Sequence, residues 1–360
     1  MKTTLMVMMA ASAVLTGLTA CSSDDAAPAA QQTREIRLGT TVGDVTRSND
    51  ATNLLNGDTV YVWADMVNPS TTPATVTEYF NAWALKANGV GGLSTLAAGN
   101  AKLFPATNML NFYALVGNFG KKTVEEQEVP MITDGTTELP TTEGIRHTVL
   151  DDQTTAEAYY KSDLMYAVKL EQEPISDAVV LPFKHLLSRI QVVLVAGNGM
   201  TTTELATATV KLLDMKRQVI FTPDKSKDFT SATDLAAMVT IPATAQHSDI
   251  LLSTNTVAAA ADAIGDANKT AYADAIVVPQ TIAWSTALIE VDYLSDGGNL
   301  RQTYYRLPDG TGTEETAFKI ESGKQYRFRL VCDRLGETYT VVPTVADWTA
   351  STQSGGVWVE

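Results

Sequence analysis

Tyr326-Arg-Phe-Arg-Leu-Val-Cys-Asp333 is the stretch that sets the fold class. Tyr326, Phe328, Leu330 and Cys332 fall on one side of an extended chain, while Arg327, Arg329 and Asp333 fall on the other. Alternation with period two marks a half-buried strand, and Cys332 is then a small core residue on it. Arg334-Leu-Gly-Glu337 makes a turn, and Thr338–Val342 returns as a second strand. Leu288–Leu294, the turn Ser295-Asp-Gly-Gly-Asn299 and Leu300–Leu307 make another hairpin. The Asp-Gly-Gly centre supplies the positive φ angles that a tight reversal needs.

Working outward, the same alternation predicts strands at Thr59–Asp65, Leu110–Val116, Asp163–Leu170, Ser188–Ala196, Val210–Ile220 and Ile276–Val278. Helical periodicity is weak. Ala156–Tyr160 reads as one short turn. Val257–Ala275 is an Ala-rich helix candidate with a poor apolar face, interrupted by Gly265. Many short strands with frequent turn signals predict an all-β chain of sandwich type. The polar stretch Glu171-Gln-Glu-Pro-Ile-Ser-Asp177 separates two strand-rich halves and is the best boundary. At roughly 100–200 residues per domain, 360 residues suit two domains.

Composition narrows the function. Hydrophobic residues make up 45% and charged residues 19%, as in a globular chain. Asp and Glu number 41 against 26 Lys and Arg, a net charge of −15. That balance argues against nucleic acid as a partner, because phosphate binding needs a basic patch. The two cysteines, Cys21 and Cys332, and the three histidines, His147, His185 and His247, never fall at zinc-ligand spacing, so no metal or cofactor is predicted. Gly117–Thr123 has Leu115 where a phosphate loop needs its first glycine, and no nucleophile elbow or zinc-protease motif occurs. His185 reads as a structural histidine, Asp151-Asp152 as a solvated pair, and Asp309–Glu315 as a hairpin loop without the spacing of a calcium loop. Trp63, Trp83, Trp284, Trp348 and Trp358 are scattered, which favours core and interface roles over a sugar platform. No enzymatic chemistry is predicted.

The first residues read as an address. Met1-Lys2 is charged, Leu5–Ala20 is apolar and shorter than the ~20 residues of a spanning helix, and Leu18-Thr-Ala-Cys21 follows. Cys21 after Leu-Thr-Ala resembles a bacterial lipobox, which implies a diacylated thiol at a new N-terminus. Ser22-Ser-Asp-Asp25 resembles the acidic stretch that sends some lipoproteins to the cell surface. Residues 26–33 are a tether. Ile36, Leu38, Thr40 and Val42 then alternate with Arg37, Gly39 and Thr41 as an amphipathic strand. Arg47 follows among small and polar residues, the composition of an exposed loop.

Gly57-Asp-Thr-Val-Tyr-Val-Trp63, Asn111–Val116, Phe183-Lys-His-Leu-Leu-Ser-Arg-Ile-Gln-Val-Val-Leu194, Ile276-Val-Val-Pro-Gln280, Ser322–Phe328 and Val345-Ala-Asp-Trp348 occur in that order behind the lipobox and Arg47. This series resembles the fimbrillins, the pilins and pilin-like proteins of type V pili in the Bacteroidia, over most of the chain. The resemblance implies two tandem transthyretin-like β-sandwich domains behind a lipoprotein signal peptide. Residues 1–20 are then the signal peptide, 21–47 a propeptide with the tether and first strand, 48–173 the N-terminal sandwich and 174–360 the C-terminal one. It also implies a life history. The precursor is held in the outer membrane by lipid on Cys21. A trypsin-like, Arg-specific protease cuts between Arg47 and Ser48 and removes the leaving strand with Ile36, Leu38, Thr40 and Val42. Subunits then join other pilin subunits, in a homopolymer or a mixed fibre, by donating a strand.

The physics of the two ends suits that history. The segment up to Arg47 is charge-neutral, so its loss leaves the −15 in place. A lost strand uncovers apolar surface and bare sheet edges, which an incoming strand of matching alternation repairs by β-augmentation. Ala350–Gly356 is a spacer, and Val357, Trp358 and Val359 form a candidate donor strand. Such a contact is head-to-tail and grows into a fibre. Alternatives stand beside it: residues 34–42 as a first strand that is never removed, Arg34 or Arg37 as the cut site, Val357–Glu360 paired within its own domain. The other functional reading is a surface-anchored lipoprotein that keeps its Cys21 lipid and acts as a tip adhesin or glycan binder.

Overall fold

The computed structural model describes residues 34–42, 54–96, 99–118, 121–124, 127–130, 144–226, 232–256, 269–294, 298–309, 317–333, 339–341 and 343–348. Among the described residues the architecture is nearly all β, with 57% strand and 6% helix. The first part of the chain supplies β1 (Leu38–Val42), β2 (Thr59–Asn68), β3 (Thr75–Ala87), β4 (Leu93–Thr95), β5 (Met109–Val116), β6 (Lys121–Val124), β7 (Gln127–Pro130), β8 (Ile145–Thr148), α1 (Ala156–Lys161), β9 (Met165–Gln172) and β10 (Val179–His185). There follow β11 (Ser188–Ala196), α2 (Thr202–Ala206), β12 (Thr209–Lys216), β13 (Gln218–Phe221), α3 (Ala232–Ala237), β14 (Val239–Thr240), β15 (His247–Leu251) and β16 (Ser253–Thr256). The last part supplies β17 (Lys269–Val277), β18 (Gln280–Ala283), β19 (Ala287–Leu294), β20 (Leu300–Arg306), β21 (Ala317–Ile320), β22 (Lys324–Cys332), β23 (Tyr339–Thr340) and β24 (Thr344–Asp347).

Three sheets carry the architecture. The first has seven strands in the order β1-β10-β9-β5-β2-β3-β4. The others have five each, β16-β17-β11-β22-β24 and β15-β12-β19-β20-β23. β22 keeps the predicted alternation, with Tyr326, Phe328, Leu330 and Cys332 buried and Arg329 and Val331 exposed. Its neighbour β11 runs parallel to it and is buried along nearly its whole length, because sheet partners flank it and both faces are covered. The polar residues on β11 are met there. Arg189 donates from Nε and Nη2 to Asp274 Oδ1 at 3.1 and 2.9 Å, and Arg327 Nε donates to Gln191 Oε1 at 2.8 Å.

The halves interlock. β8 pairs with β13, and Gln153 brackets Ile276, donating to its carbonyl at 2.8 Å and accepting from its N–H at 2.9 Å. One main apolar core runs from Ile36 to Trp348. The sequence boundary at residue 173 falls in the loop between β9 and β10, and β10 lies in the first sheet beside β1. Three expectations need correction. Tyr339–Thr340 do not return beside β22 as a hairpin, because β23 runs parallel to β20 in the third sheet. Residues 269–275 of the Ala-rich stretch are strand, because Ala273 and Ala275 pack in the core opposite β11 and pairing overrides helix propensity. The strand predicted over Val210–Ile220 breaks into β12 and β13 at Arg217, shortly after Asp214 takes a positive φ of 52°.

Candidate functional site

β1 is built as its sequence dictates. Ile36, Leu38 and Thr40 are 3–4% exposed, while Arg37 and Thr41 face solvent. On one edge β1 runs parallel to β10, with Leu38 opposite Val179 and Val42 opposite Phe183. The Val179 N–H donates to the Arg37 carbonyl at 2.9 Å. On the other edge the Thr40 N–H donates to Gly91 O at 2.7 Å, the Ile36 N–H to Lys102 O at 2.8 Å, and the Phe104 N–H to Arg34 O at 2.8 Å. Arg34 Nη1 reaches Pro174 O at 2.8 Å. The leading strand therefore lies inside the body, bonded on both sides, and brings the two edges of the first sheet together.

Gly39 makes that closure possible. A Cβ at this position would stand 3.1 Å from Gly91 O, tighter than most such contacts, so the Gly91 backbone would have to give by a few tenths of an ångström. The bond pattern of β10 is equally telling. Over Val179–Phe183 its ladder is with β1, and β9 takes over only at Lys184 and His185. Removing β1 would strip the ladder from that half of β10 and expose the apolar positions under Ile36 and Leu38, at roughly 1.5–3 kcal/mol for each side chain lost from the core.

Cys21, Arg47, Ser48, Val357, Trp358 and Val359 lie outside the described residues. Arg47 and Ser48 belong to the link between β1, which ends at Val42, and Leu54, where the described chain resumes in the core.

Sequence reasoning missed a buried cluster at the far end of β10. His185 Nδ1 lies 2.7 Å from Asp163 Oδ2, both side chains being almost fully buried. The His185 ring stacks on Trp348, with centroids 3.8 Å apart and planes 8° from parallel. Its partners are distant in sequence and no local motif signals them. His147 is buried as well. It accepts from the Asn118 N–H at Nδ1 and donates from Nε2 to Ser162 O at 2.9 Å, and burial pushes its pKa down to about 4.

Other chemical candidates fall away on geometry. Asp152 bonds the N–H and hydroxyl of Thr154, which hold its carboxyl below the usual range, and Asp151 lies 3.5 Å from Arg217. Of the acidic loop at 309–315 only Asp309 is described, and it accepts from the Ser285 hydroxyl. Among the described residues no group of three or more His, Cys, Asp or Glu suits a metal ion. An open cleft of about 680 Å³ beside β5 and β9 holds Lys225, which is 2.5 Å from Asp65 and 4.6 Å above the Tyr113 ring. Trp63, Trp83 and Trp348 are buried and Trp284 is half-buried against Phe318, so these four do not make a sugar platform.

Comparison with known proteins follows the same outline. The model of the fimbrillin-like family matches residues 46–348. A solved structure of a candidate cell adhesion protein from Bacteroides uniformis is 20% identical, with a TM-score of 0.51 over 88% of this chain and 98% of that one. Another such protein, from Bacteroides ovatus, is 14% identical with a TM-score of 0.54 over the same shares. A fimbrial protein from Bacteroides vulgatus is 13% identical with a TM-score of 0.44, over 88% of this chain and 100% of that one. No curated protein sequence matches. The chain belongs to the fimbrillin-like family, and with it to the fimbrial or adhesive proteins of the cell surface rather than to the enzymes.

Proposed function

We propose that this chain is the precursor of a fimbrial subunit that is exported as a lipoprotein on Cys21, cut between Arg47 and Ser48, and polymerised by strand exchange. The observation that carries this reading is the setting of β1. It is bonded along both edges and buries Ile36, Leu38 and Thr40, yet it is joined to the rest of the body through the link that contains Arg47. One cut in that link converts a finished core into one with an open groove. The groove presents the unpaired backbone of β10 on one bank and the carbonyls of Gly91 and Lys102 on the other, which is the chemistry that recruits an extended strand. The family match supports the same division, since it begins beside Arg47, after β1, and ends at Trp348, before the tail.

In this reading Val357, Trp358 and Val359 of one subunit enter the groove of the next. The partners are then other pilin subunits, an Arg-specific protease and, before the cut, outer-membrane lipid. Mass spectrometry of the mature protein from the cell surface tests it. The expected N-terminus is Ser48, and Arg47→Ala should leave the precursor uncut and unpolymerised. A mature chain that begins at an acylated Cys21 would instead favour an anchored adhesin.

A further inference from the structure

Lys225 and Asp65 meet across the wall of the cleft beside β5 and β9. Lys225 Nζ lies 2.5 Å from Asp65 Oδ2 and 4.6 Å above the Tyr113 ring. Asp65 is buried, and the Lys225 side chain is 28% exposed. The other lysine–carboxylate pairs of the described residues are unlike this one. Lys161 and Glu157 are both exposed on α1, and Lys211 divides its charge between Glu290 and Asp292 on the neighbouring strand. Lys225 meets a single buried carboxyl group against an aromatic ring.

Both partners are held in place. Asp65 sits within β2, opposite Glu78 on β3 and Asn111 on β5. The Tyr113 hydroxyl bonds to the Asp65 carboxyl, and the Asn111 side chain bonds to that hydroxyl. Burial, and then the charge of Asp65, push the Tyr113 pKa up, so its hydroxyl keeps its proton at neutral pH. Around Lys225, the Thr222 N–H donates to Met238 O at 2.8 Å, and Asp224 Oδ1 accepts from the Ser226 N–H and hydroxyl at 2.8 and 2.6 Å. An amine fixed against a carboxyl group no longer needs a bimolecular encounter, and well-oriented pairs reach effective concentrations of roughly 10⁵–10⁸ M. Concentrations of that size favour a condensation that dilute amines and acids do not undergo in water.

We propose that Lys225 and Asp65 form a covalent cross-link, an amide bond between Lys225 Nζ and Asp65 Cγ. One proton passes from the ammonium to the carboxylate, which gives a free amine and a carboxylic acid. The amine lone pair attacks Cγ, and the Tyr113 hydroxyl stabilises the oxygen on which charge develops. The bond from Cγ to the acid's hydroxyl breaks, and that hydroxyl leaves with one proton from nitrogen as a single water molecule. The adjoining cleft gives the water its way out. No oxidant, reductant or further reactant is consumed. The bond joins β2 in the first sheet to the segment that follows β13, so a load on the two ends of the chain bypasses the residues between 65 and 225. It needs neither cleavage nor strand exchange, and it stands or falls apart from the function proposed above.

Mass spectrometry of the purified exported chain, unfolded just before measurement, tests it. The chain is expected to be one water lighter than its processed sequence, and a digest should yield a branched peptide that contains both Asp65 and Lys225. Lys225→Arg keeps the positive charge but cannot form the amide, so this variant should show its full mass and run more slowly than the linked chain on a denaturing gel. Tyr113→Phe keeps the ring and removes the donor, so the linked fraction should accumulate at least tenfold more slowly after refolding. A hydroxyl that serves packing alone predicts an unchanged rate. Full sequence mass in the folded wild-type chain, with Asp65 and Lys225 on separate unmodified peptides, would overturn the cross-link. A missing water confined to one linear peptide, or still missing in Lys225→Arg, would overturn it as well, because ring closure at another residue then accounts for the mass.

Discussion

At the scale of single residues, His147 is an ionisable group that burial keeps in its neutral state. His147 is bonded on both ring nitrogens, and burial holds its pKa near 4 against 6.5 in the open chain. Between those values the unfolded chain binds a proton that the folded chain refuses, so stability is complete above pH 6.5 and falls as the pH drops toward 4. The loss is on the order of 3 kcal/mol. Denaturant titrations at pH 7 and pH 4.5 should show it. His147→Gln should start less stable at pH 7 and lose less over the same range. Cys332 is the complementary case. Burial pushes its thiol up to about 11, beside the Tyr305 hydroxyl at 3.1 Å. It should resist alkylation at pH 8 in the folded protein and react only on unfolding, as mass labelling would report. Alternation alone placed Cys332, Ile36, Leu38 and Thr40 in the core, since a strand with one wet face leaves no other choice. His185 was legible only as a structural residue. Its meaning comes from Asp163 and Trp348, which topology rather than sequence spacing brings to it.

At the scale of elements, strands whose two faces differ were readable and strands whose partners decide the matter were not. β22, β5 and the β19–β20 hairpin lie where their patterns put them. Alanine-rich β17 does not read as a strand, because small residues carry little pattern and β11 supplies the reason for its conformation. β10 was missed as the partner of β1 since parallel pairing between such distant segments leaves no local mark. β1 itself yields a sharp prediction. Leu38→Ala removes a buried side chain and should cost about 3 kcal/mol of unfolding free energy in the precursor. Gly39→Val places a Cβ against Gly91 O and should loosen the edge toward β4 without removing any core group. In an intact precursor, hydrogen exchange at Thr40 and Ile36 should then rise, while exchange at the centre of β11 stays unchanged.

At the scale of the whole molecule, the all-β architecture follows from a sequence with little helical periodicity and many turn signals. What the sequence could not show is how tightly the two strand-rich halves are joined. The Gln153 side chain and the ladders of β8 and β10 join the two halves through hydrogen bonds that no composition reveals. The body is therefore a continuous core with its leading strand as one wall, and loss of that wall should be felt as association rather than as simple unfolding. The direct measurement is light scattering of the purified precursor as an Arg-specific protease removes residues up to Arg47, run with and without excess peptide of residues 34–42. Scattering should grow in step with cleavage into head-to-tail polymers, and the peptide should suppress it by reoccupying the groove. A cleaved protein that stays monomeric, with its thermal stability intact and no response to the peptide, would contradict the claim that β1 completes the fold.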